Sequence, residues 1–245
     1  MTAVLDIRDV SVTFGAVRAV SHLSLEVDTA EIVGLIGPNG AGKTTTIDAI
    51  CGFVDAEGTV EISGIDVTRA KPHARARAGI SRTFQSLELF EDMSVAENLQ
   101  VASESLASKK SRDTADAVRS ALDRVGLSVA ADTLPASLPH GDRKLVAVAR
   151  ALITDPPLLL LDEPAAGLNS AESEVLGERL MKVRSGGTSI LLVDHDMGLV
   201  SSVCDRIYVL EFGELIAHGA PKEIMRNTRV ISAYLGGEAD GGSGS

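Results

Sequence analysis

One short run, residues 37–44, limits what this chain can fold into more than any other feature. It reads Gly-Pro-Asn-Gly-Ala-Gly-Lys-Thr and matches the pattern G-x-x-x-x-G-K-[ST] at every fixed position. Residues 31–37 form a nearly continuous apolar run typical of a strand buried on both faces, and residues 45–50 are predicted to be helical. A glycine-rich turn could match by chance, but the strand before it and the helix after it favour a phosphate-binding loop. The run therefore predicts a nucleotide site.

Each residue type in this loop has a physical reason to be there. The glycines let consecutive backbone N–H groups turn towards phosphate oxygens, and the helix N-terminus adds partial positive charge. Lys43 can reach the β- and γ-phosphates, and the Thr44 hydroxyl can ligate Mg²⁺. The residues expected to surround the phosphates are Gly37, Pro38, Asn39, Gly40, Ala41, Gly42, Lys43, Thr44 and Thr45.

A second acidic motif follows another apolar run. Leu158–Asp162 reads as a buried strand that ends in a carboxylate, and Glu163 and Pro164 come directly after it. Alone, this could be an ordinary acidic junction between a strand and a turn. Beside a phosphate loop, Asp162 is expected to hold Mg²⁺ through water, and Glu163 is placed to polarise an attacking water. Hydrolysis of ATP or GTP is the leading chemistry.

The remaining pattern indicates an α/β fold. Residues 31–37, 158–162 and 189–194 read as buried strands that lie side by side in a parallel sheet. Further strands are expected at residues 5–14, 24–27 and 59–62, a hairpin at residues 206–218 turning at Gly213, and helices at residues 94–102, 111–125, 141–153 and 170–184. Ser94 and Glu97 form a capping box at the first of these helices.

The composition argues against several classes of function. The chain has 34 acidic and 23 basic residues among 245, a formal net charge of -11, so it is unlikely to coat nucleic acid by charge. Two cysteines cannot form a disulfide framework. The N-terminus lacks the apolar centre of a signal peptide, and the longest apolar run is too short to span a bilayer, so we expect any membrane role to be peripheral.

At this point the motifs resemble the ATP-binding subunits of ABC transporters, and their spelling looks like the branched-chain amino-acid importer ATPases. The resemblance covers about residues 5–236. It rests on the runs at residues 82–85 (RTFQ), 162–169 (DEPAAGLN), 194–197 (DHDM) and 233–236 (AYLG). It implies a P-loop NTPase (RecA-like) core of ABC ATPase type with an antiparallel β-subdomain and a helical subdomain.

The resemblance also assigns roles to single residues. Gln85 matches the glutamine that senses Mg²⁺ and the γ-phosphate, and His195 matches the switch histidine that contacts the γ-phosphate. The alternatives are a surface-turn amide and a structural histidine. Phe14 matches the aromatic that stacks on adenine, although it could instead belong to the core. Asn169 stands where the family usually has an Asp that faces the opposite subunit.

Residues 138–142, the signature segment, match the family poorly. They read Leu-Pro-His-Gly-Asp in place of Leu-Ser-Gly-Gly-Gln, a segment that in the family docks onto the γ-phosphate bound by the other subunit. Gly141 and the helix start are kept, whereas Pro139 supplies no hydroxyl. His140 could offer a charged donor if protonated. Asp142 places negative charge near a triphosphate unless its side chain caps the helix. The resemblance thus implies a catalytic set of Lys43, Gln85, Glu163 and His195, a metal set of Thr44, Gln85 and Asp162, and a nucleotide contact made by Pro139, His140, Gly141 and Asp142.

The expected domain organisation is one nucleotide-binding domain over residues 1–236, with a helical subdomain at about residues 86–139. Residues 237–245 are rich in glycine and serine and are expected to be a disordered tail.

The function implied is ATP hydrolysis, with Mg²⁺, that powers uptake of branched-chain amino acids or related small solutes through a separate permease. The partners would be a second ABC ATPase subunit, identical or different, transmembrane permease subunits and, indirectly, an extracytoplasmic solute-binding protein. The location would be the cytoplasmic face of the cell membrane. Two alternatives stay open: an ABC ATPase outside transport, and a regulatory module that binds nucleotide with weak or no hydrolysis.

Overall fold

The computed structural model describes residues 3–83, 89–106, 114–127 and 131–236. Ten strands and a set of helices alternate along these residues. The strands are β1 (Ala3–Phe14), β2 (Val17–Asp28), β3 (Ile32–Ile36), β4 (Glu57–Ile62), β5 (Ile65–Asp66), β6 (Ile80–Arg82), β7 (Leu158–Asp162), β8 (Ser189–Val193), β9 (Arg206–Glu211) and β10 (Glu214–Gly219). The helices are α1 (Lys43–Cys51), α2 (Pro72–Ala78), α3 (Val95–Leu106), α4 (Thr114–Val125), α5 (His140–Leu152), α6 (Ser170–Ser185), α7 (Met197–Val203), α8 (Pro221–Ile224) and α9 (Thr228–Gly236), with a 3₁₀ turn at Pro135–Ser137.

The central sheet has the strand order β10-β9-β3-β8-β7-β6. Its strands β9, β3, β8, β7 and β6 run parallel, and β10 pairs antiparallel with β9. Every residue of β3, β7 and β8 is buried, which explains their continuous apolar sequences. The prediction that these three strands lie side by side is confirmed.

A second, antiparallel sheet of order β2-β1-β4-β5 confirms the expected β-subdomain. Its apolar side chains share one core with α1 and with the face of the central sheet that carries Val33 and Leu35. The predicted strand at residues 24–27 begins earlier than expected, because Val17 pairs with Phe14 and starts β2. This hairpin brings β2 against the phosphate loop.

The opposite face of the central sheet is covered by a helical layer. Helices α3 and α4 pack on α5, and α4 and α5 also contact α6. Their apolar residues, including Leu99, Leu122 and Leu145, form one core with Ile32 and Ile190 of the sheet. The predicted capping box is present, since the Glu97 carboxylate accepts from the Ser94 backbone N–H at 2.7 Å and Ser94 Oγ accepts from Glu97 N–H at 3.3 Å.

Sequence patterns missed several short elements. Helices α2, α7, α8 and α9 have between four and nine residues, too few for a clear helical period. The predicted tail at residues 237–245 lies outside the described residues, as does residue 86, where the predicted helical subdomain begins.

Candidate nucleotide-binding site

The topology brings the predicted motifs to one edge of the central sheet. Because β3, β8 and β7 are adjacent and parallel, their carboxyl ends meet at this edge. The phosphate loop follows β3, Asp194 and His195 follow β8, and Asp162 ends β7 with Glu163 next to it. We call residues 37–45 together with Asp162, Glu163, Asp194 and His195 the strand-end site.

The phosphate loop is held between β2 and the β9–β10 turn. The Gly213 N–H donates to the Ala41 carbonyl at 3.1 Å. Gly42, at φ +98°, precedes α1, and a Cβ there would lie 2.5 Å from the Ala19 carbonyl oxygen. A Cβ on Gly37 would lie only 2.2 Å from the Leu210 carbonyl oxygen. Both positions therefore require glycine, which leaves the loop tightly wrapped at the start of α1.

The side chain of Lys43 folds back onto this loop. Its Nζ donates to the Gly37 carbonyl at 2.7 Å and to the Pro38 carbonyl at 3.0 Å. Burial lowers the pKa of the Lys43 amine, and the nearby carboxylates of Glu163 and Asp162 act in the opposite direction. The amine thus stands between the loop and both acidic residues. Thr44, the next residue, is exposed at the first turn of α1.

The two acidic residues after β7 have different surroundings. Asp162 is buried, and its Oδ2 accepts from Arg82 Nη2 at 2.9 Å. Burial raises the pKa of the Asp162 carboxyl, while the hydrogen bond from Arg82 opposes that rise. Glu163 is half-buried and has a left-handed backbone, with φ +48°, fixed by its N–H donating to the Val193 carbonyl at 2.7 Å. A strained non-glycine residue beside a phosphate loop points to function.

Asp194 ties the end of β8 to the turn after β7. Its fully buried carboxylate accepts from the backbone N–H groups of Ala165 at 2.9 Å, His195 at 2.8 Å and Asp196 at 2.9 Å. His195 follows with a side chain that is 62% exposed, and its Nδ1 lies 3.7 Å from Asp194 Oδ1. The imidazole is therefore outside the core and at the edge where the loop opens.

The residues present fit a Mg²⁺ ion that a nucleotide would bring. Thr44 and Asp162 offer a hydroxyl and a carboxylate, the hard oxygen donors that Mg²⁺ prefers. Among the described residues there is no group of three or more His, Cys, Asp or Glu side chains placed to hold a metal by themselves.

Phe14 ends β1 at the hairpin that adjoins the loop. The residue is 53% exposed, so the alternative that it belongs to the core is wrong. The predicted role of Gln85 stays untested, because Gln85 lies outside the residues that the structure describes.

The signature segment lies against the start of α6. Pro139, Gly141 and Asp142 line a cavity of about 250 Å³ with residues at the start of α6, among them Asn169 and Glu172. The helix start is kept, since α5 begins at His140. Among the described residues no side-chain hydrogen bond caps the start of this helix, so the alternative in which Asp142 caps it is not found. The negative charge in the first turn still interacts favourably with the helix dipole.

His140 of the signature segment and Asn169, which lines the same cavity, make local contacts. The His140 ring packs on Gly167, where Nε2 would lie 3.3 Å from a Cβ. Asn169 caps α6 in a capping box with Glu172: its side chain accepts from the Glu172 N–H at 3.0 Å, and Glu172 accepts from the Asn169 N–H at 3.0 Å.

The sequence patterns assign no individual role to three charged residues at this site. Asp194 stands out in the sequence only as part of a motif, and Arg82 and Lys144 receive no individual role from it. Lys144 is buried in α5; burial lowers the pKa of its amine, and the carboxylates of Asp194 and Glu163 oppose this. A lysine on the apolar face of a predicted helix, and an arginine at the end of a short strand, are the signals that could have found them.

These features define a P-loop nucleotide-binding protein. They are a tightly wrapped phosphate loop, its lysine, and two carboxylates at the end of a strand in a parallel sheet. The family model described as ABC transporter matches residues 20–166, and the model described as branched-chain amino acid ATP-binding cassette transporter matches residues 214–240. The chain belongs to the ABC transporter family as an ABC-type ATPase. In the described residues, no helix has both the length and the apolar character needed to cross a membrane.

Named relatives and solved structures agree with this assignment. The high-affinity branched-chain amino acid transport ATP-binding protein LivG of Salmonella typhimurium is 40% identical over 95% of this chain and 97% of its own length. The corresponding protein BraF of Pseudomonas aeruginosa is 36% identical over 95% of this chain and 98% of its own. The crystal structure of an ATP-binding cassette of an ABC transporter in its ADP conformation aligns with a TM-score of 0.89 and 28% identity, covering 96% of this chain and all of that one.

Proposed function

We propose that this chain is the ATP-hydrolysing subunit of an importer for branched-chain amino acids or related small solutes. The observation that carries the hydrolytic part is the meeting of Lys43, Asp162 and Glu163 at one sheet edge, where burial and charge link all three. The solute class is supported by the similarity to LivG and BraF, which are branched-chain amino acid transport ATP-binding proteins, and by the match of residues 214–240 to the branched-chain model.

In the proposed reaction, water attacks the γ-phosphate of ATP in line with the leaving group. The loop N–H groups and Lys43 stabilise the charge that develops on the phosphate oxygens. Glu163 orients and polarises the water, and His195, exposed at the next strand end, contacts the γ-phosphate. Phe14 stacks on adenine. Thr44 and Asp162 would hold Mg²⁺ and Gln85 would sense it, and the ion would supply neutralisation of phosphate charge.

The proposed partners follow chiefly from the signature segment, which the strand-end site does not include. The signature segment completes the site of a second ABC ATPase subunit, either a copy of this chain or a related one. The pair drives transmembrane permease subunits from the cytoplasmic face of the membrane, and a solute-binding protein delivers the solute outside. We propose that residues 1–236 are one nucleotide-binding domain with a helical subdomain near residues 86–139.

The test compares the unmutated full chain with Glu163→Gln in steady-state ATP hydrolysis and equilibrium ATP binding. We expect Glu163→Gln to keep ATP binding and to lose hydrolysis by about 10²–10⁴-fold, the usual contribution of a general base. Equal hydrolysis rates for the two proteins would instead favour a regulatory module that holds nucleotide without turnover.

The pairing is tested separately by the solution mass of Glu163→Gln with and without MgATP. A doubling of mass that depends on ATP supports two identical chains in the pair. ATP binding without any change in mass would point to a different ATPase subunit as the partner, or to the permease as an obligatory scaffold for the pair.

A further inference from the structure

Arg82 is a charged residue buried at the edge of the central sheet. It ends β6, which pairs in parallel with β7, and its side chain is only 9% exposed. The guanidinium forks between two carboxylates: Nη1 donates to Asp48 at 2.5 Å and Nη2 donates to Asp162 at 2.9 Å. Its Cζ also lies 5.9 Å from the centre of the Phe53 ring. One side chain thus connects β7 with α1, the helix that follows the phosphate loop.

The contact with Asp162 joins the guanidinium to the carboxylate that is proposed to bind Mg²⁺. It also balances the buried negative charge of Asp162, so its role in metal binding must be separated from its role in stability. Asp162 is 7% exposed at its side chain, and Oδ2 accepts from Arg82. Among the residues that the structure describes, Arg82 is the hydrogen-bond partner found for this carboxylate. The bond engages Oδ2 and restrains the orientation of the carboxylate.

We propose that Arg82 is a positioning residue for Asp162, and that its bond to Oδ2 orients this carboxylate for the Mg²⁺ that accompanies ATP. This rests on the proposed function, since it deepens the metal role given to Asp162. Partners that orient a metal-binding side chain commonly change metal affinity by 10–100-fold when they are removed. Arg82 also anchors Asp48 in α1, so the same residue fixes the carboxylate relative to the helix that carries Thr44.

The test measures ATP affinity of the full chain by calorimetry in two buffers, one with EDTA and one with excess Mg²⁺. The ratio of the two dissociation constants isolates the metal contribution. For Arg82→Gln we expect this ratio to fall about tenfold, with the affinity in EDTA unchanged within about twofold. Arg82→Lys keeps the charge but lacks the planar guanidinium that donates to both carboxylates. We expect its ratio to lie between those of the unmutated chain and Arg82→Gln.

Arg75→Gln is the matched control. Arg75 is also buried and binds the same helix, since it donates to the Ala49 carbonyl at 2.6 Å and to the Ile50 carbonyl at 2.9 Å at the end of α1. Its hydrogen bonds go to backbone carbonyls and not to Asp162. We expect Arg75→Gln to lower the melting temperature while the ratio of dissociation constants stays that of the unmutated chain.

Several results would overturn the inference. A ratio unchanged in Arg82→Gln would mean that the bond is structural only, and a higher ratio would mean that the guanidinium competes with the metal. Should Arg82→Gln fail to fold, an unchanged ratio in Arg82→Lys would equally show a structural bond. An unmutated chain that binds ATP equally in both buffers also rejects the inference. An unmutated chain that binds no ATP in either buffer rejects the proposed function itself.

Discussion

The strand-end site and the signature segment are built in opposite ways. In the strand-end site, charged groups are buried and held, as Lys43 is by two loop carbonyls and Asp194 is by three backbone N–H groups. In the signature segment, Pro139 and His140 are exposed, and no side chain of the described residues caps the helix by a hydrogen bond. The first region gains its geometry from the folding of one chain. The second offers a bare helix start, the arrangement we expect of a surface whose contacts come from another molecule.

The largest difference in stability between the two regions is expected from Asp194→Ala in the strand-end site. Loss of this buried carboxylate leaves the N–H groups of Ala165, His195 and Asp196 without their acceptor, which we expect to cost about 4 kcal/mol of unfolding free energy. Chemical denaturation of the full chain measures it. The control in the other region is Asp142→Ala, expected to change stability by less than about 0.5 kcal/mol. Equal losses for both variants would contradict the contrast.

The next effect is expected for Gly42→Ala in the phosphate loop. The new Cβ would meet the Ala19 carbonyl at 2.5 Å while the backbone stays left-handed, so we expect a loss of about 2 kcal/mol or more, together with weaker ATP binding. Gly40→Ala is the matched control, because Gly40 is also left-handed, at φ +79°, but has open space around it. Its cost should be about 1 kcal/mol. A Gly42→Ala protein as stable as Gly40→Ala would show that the loop is not tightly packed.

A smaller effect is expected for Asn169→Ala, near the signature segment. This change removes the cap of α6, and the usual cost is about 1 kcal/mol of unfolding free energy. Asn169→Asp keeps a side-chain acceptor and should lie within a few tenths of a kcal/mol of the unmutated chain. Thermal unfolding compares the three proteins. A loss as large for Asp as for Ala would mean that Asn169 is held for a reason other than its capping bond.

The smallest effect on the isolated chain is expected for Asp142→Gln. We expect stability to change by less than about 0.5 kcal/mol, because this side chain caps nothing. In the assembled transporter, the same change removes a negative charge from the surface proposed to face a triphosphate, and ATP turnover should rise. Steady-state hydrolysis by the assembled complex measures it. Unchanged turnover would remove the reason for regarding Asp142 as unfavourable there.

The strands and the loop were well predicted from the sequence, because their signals are local and continuous. Three apolar runs placed β3, β7 and β8 together, and the glycine pattern located the phosphate loop to the residue. Contacts across long separations were not predictable. Arg82 meets Asp48 and Asp162 across 34 and 80 residues, and no periodicity encodes such a fork. Short helices such as α7 also escaped, since the Asp196 cap is a single-residue signal.

The signature segment shows a different limit of sequence reasoning. Its departure from the family pattern is visible in the sequence, but whether Asp142 caps α5 depends on the geometry of the helix start. The resemblance indicates a partner contact for Asn169, whereas the structure shows its side chain capping α6 within the same chain.

The most direct measurement is ATP binding by the isolated full chain, compared for the unmutated protein, Lys43→Ala and Asp142→Gln by calorimetry in excess Mg²⁺. If the strand-end site is complete in one chain and the signature segment is not part of it, the unmutated protein binds ATP. Lys43→Ala should then weaken binding by at least about tenfold, the loss of a hydrogen bond to a charged group, and Asp142→Gln should leave it unchanged within about twofold. Two results would contradict this separation of the two regions. One is an unmutated chain that fails to bind ATP, and the other is a loss of ATP affinity in Asp142→Gln as large as the loss in Lys43→Ala.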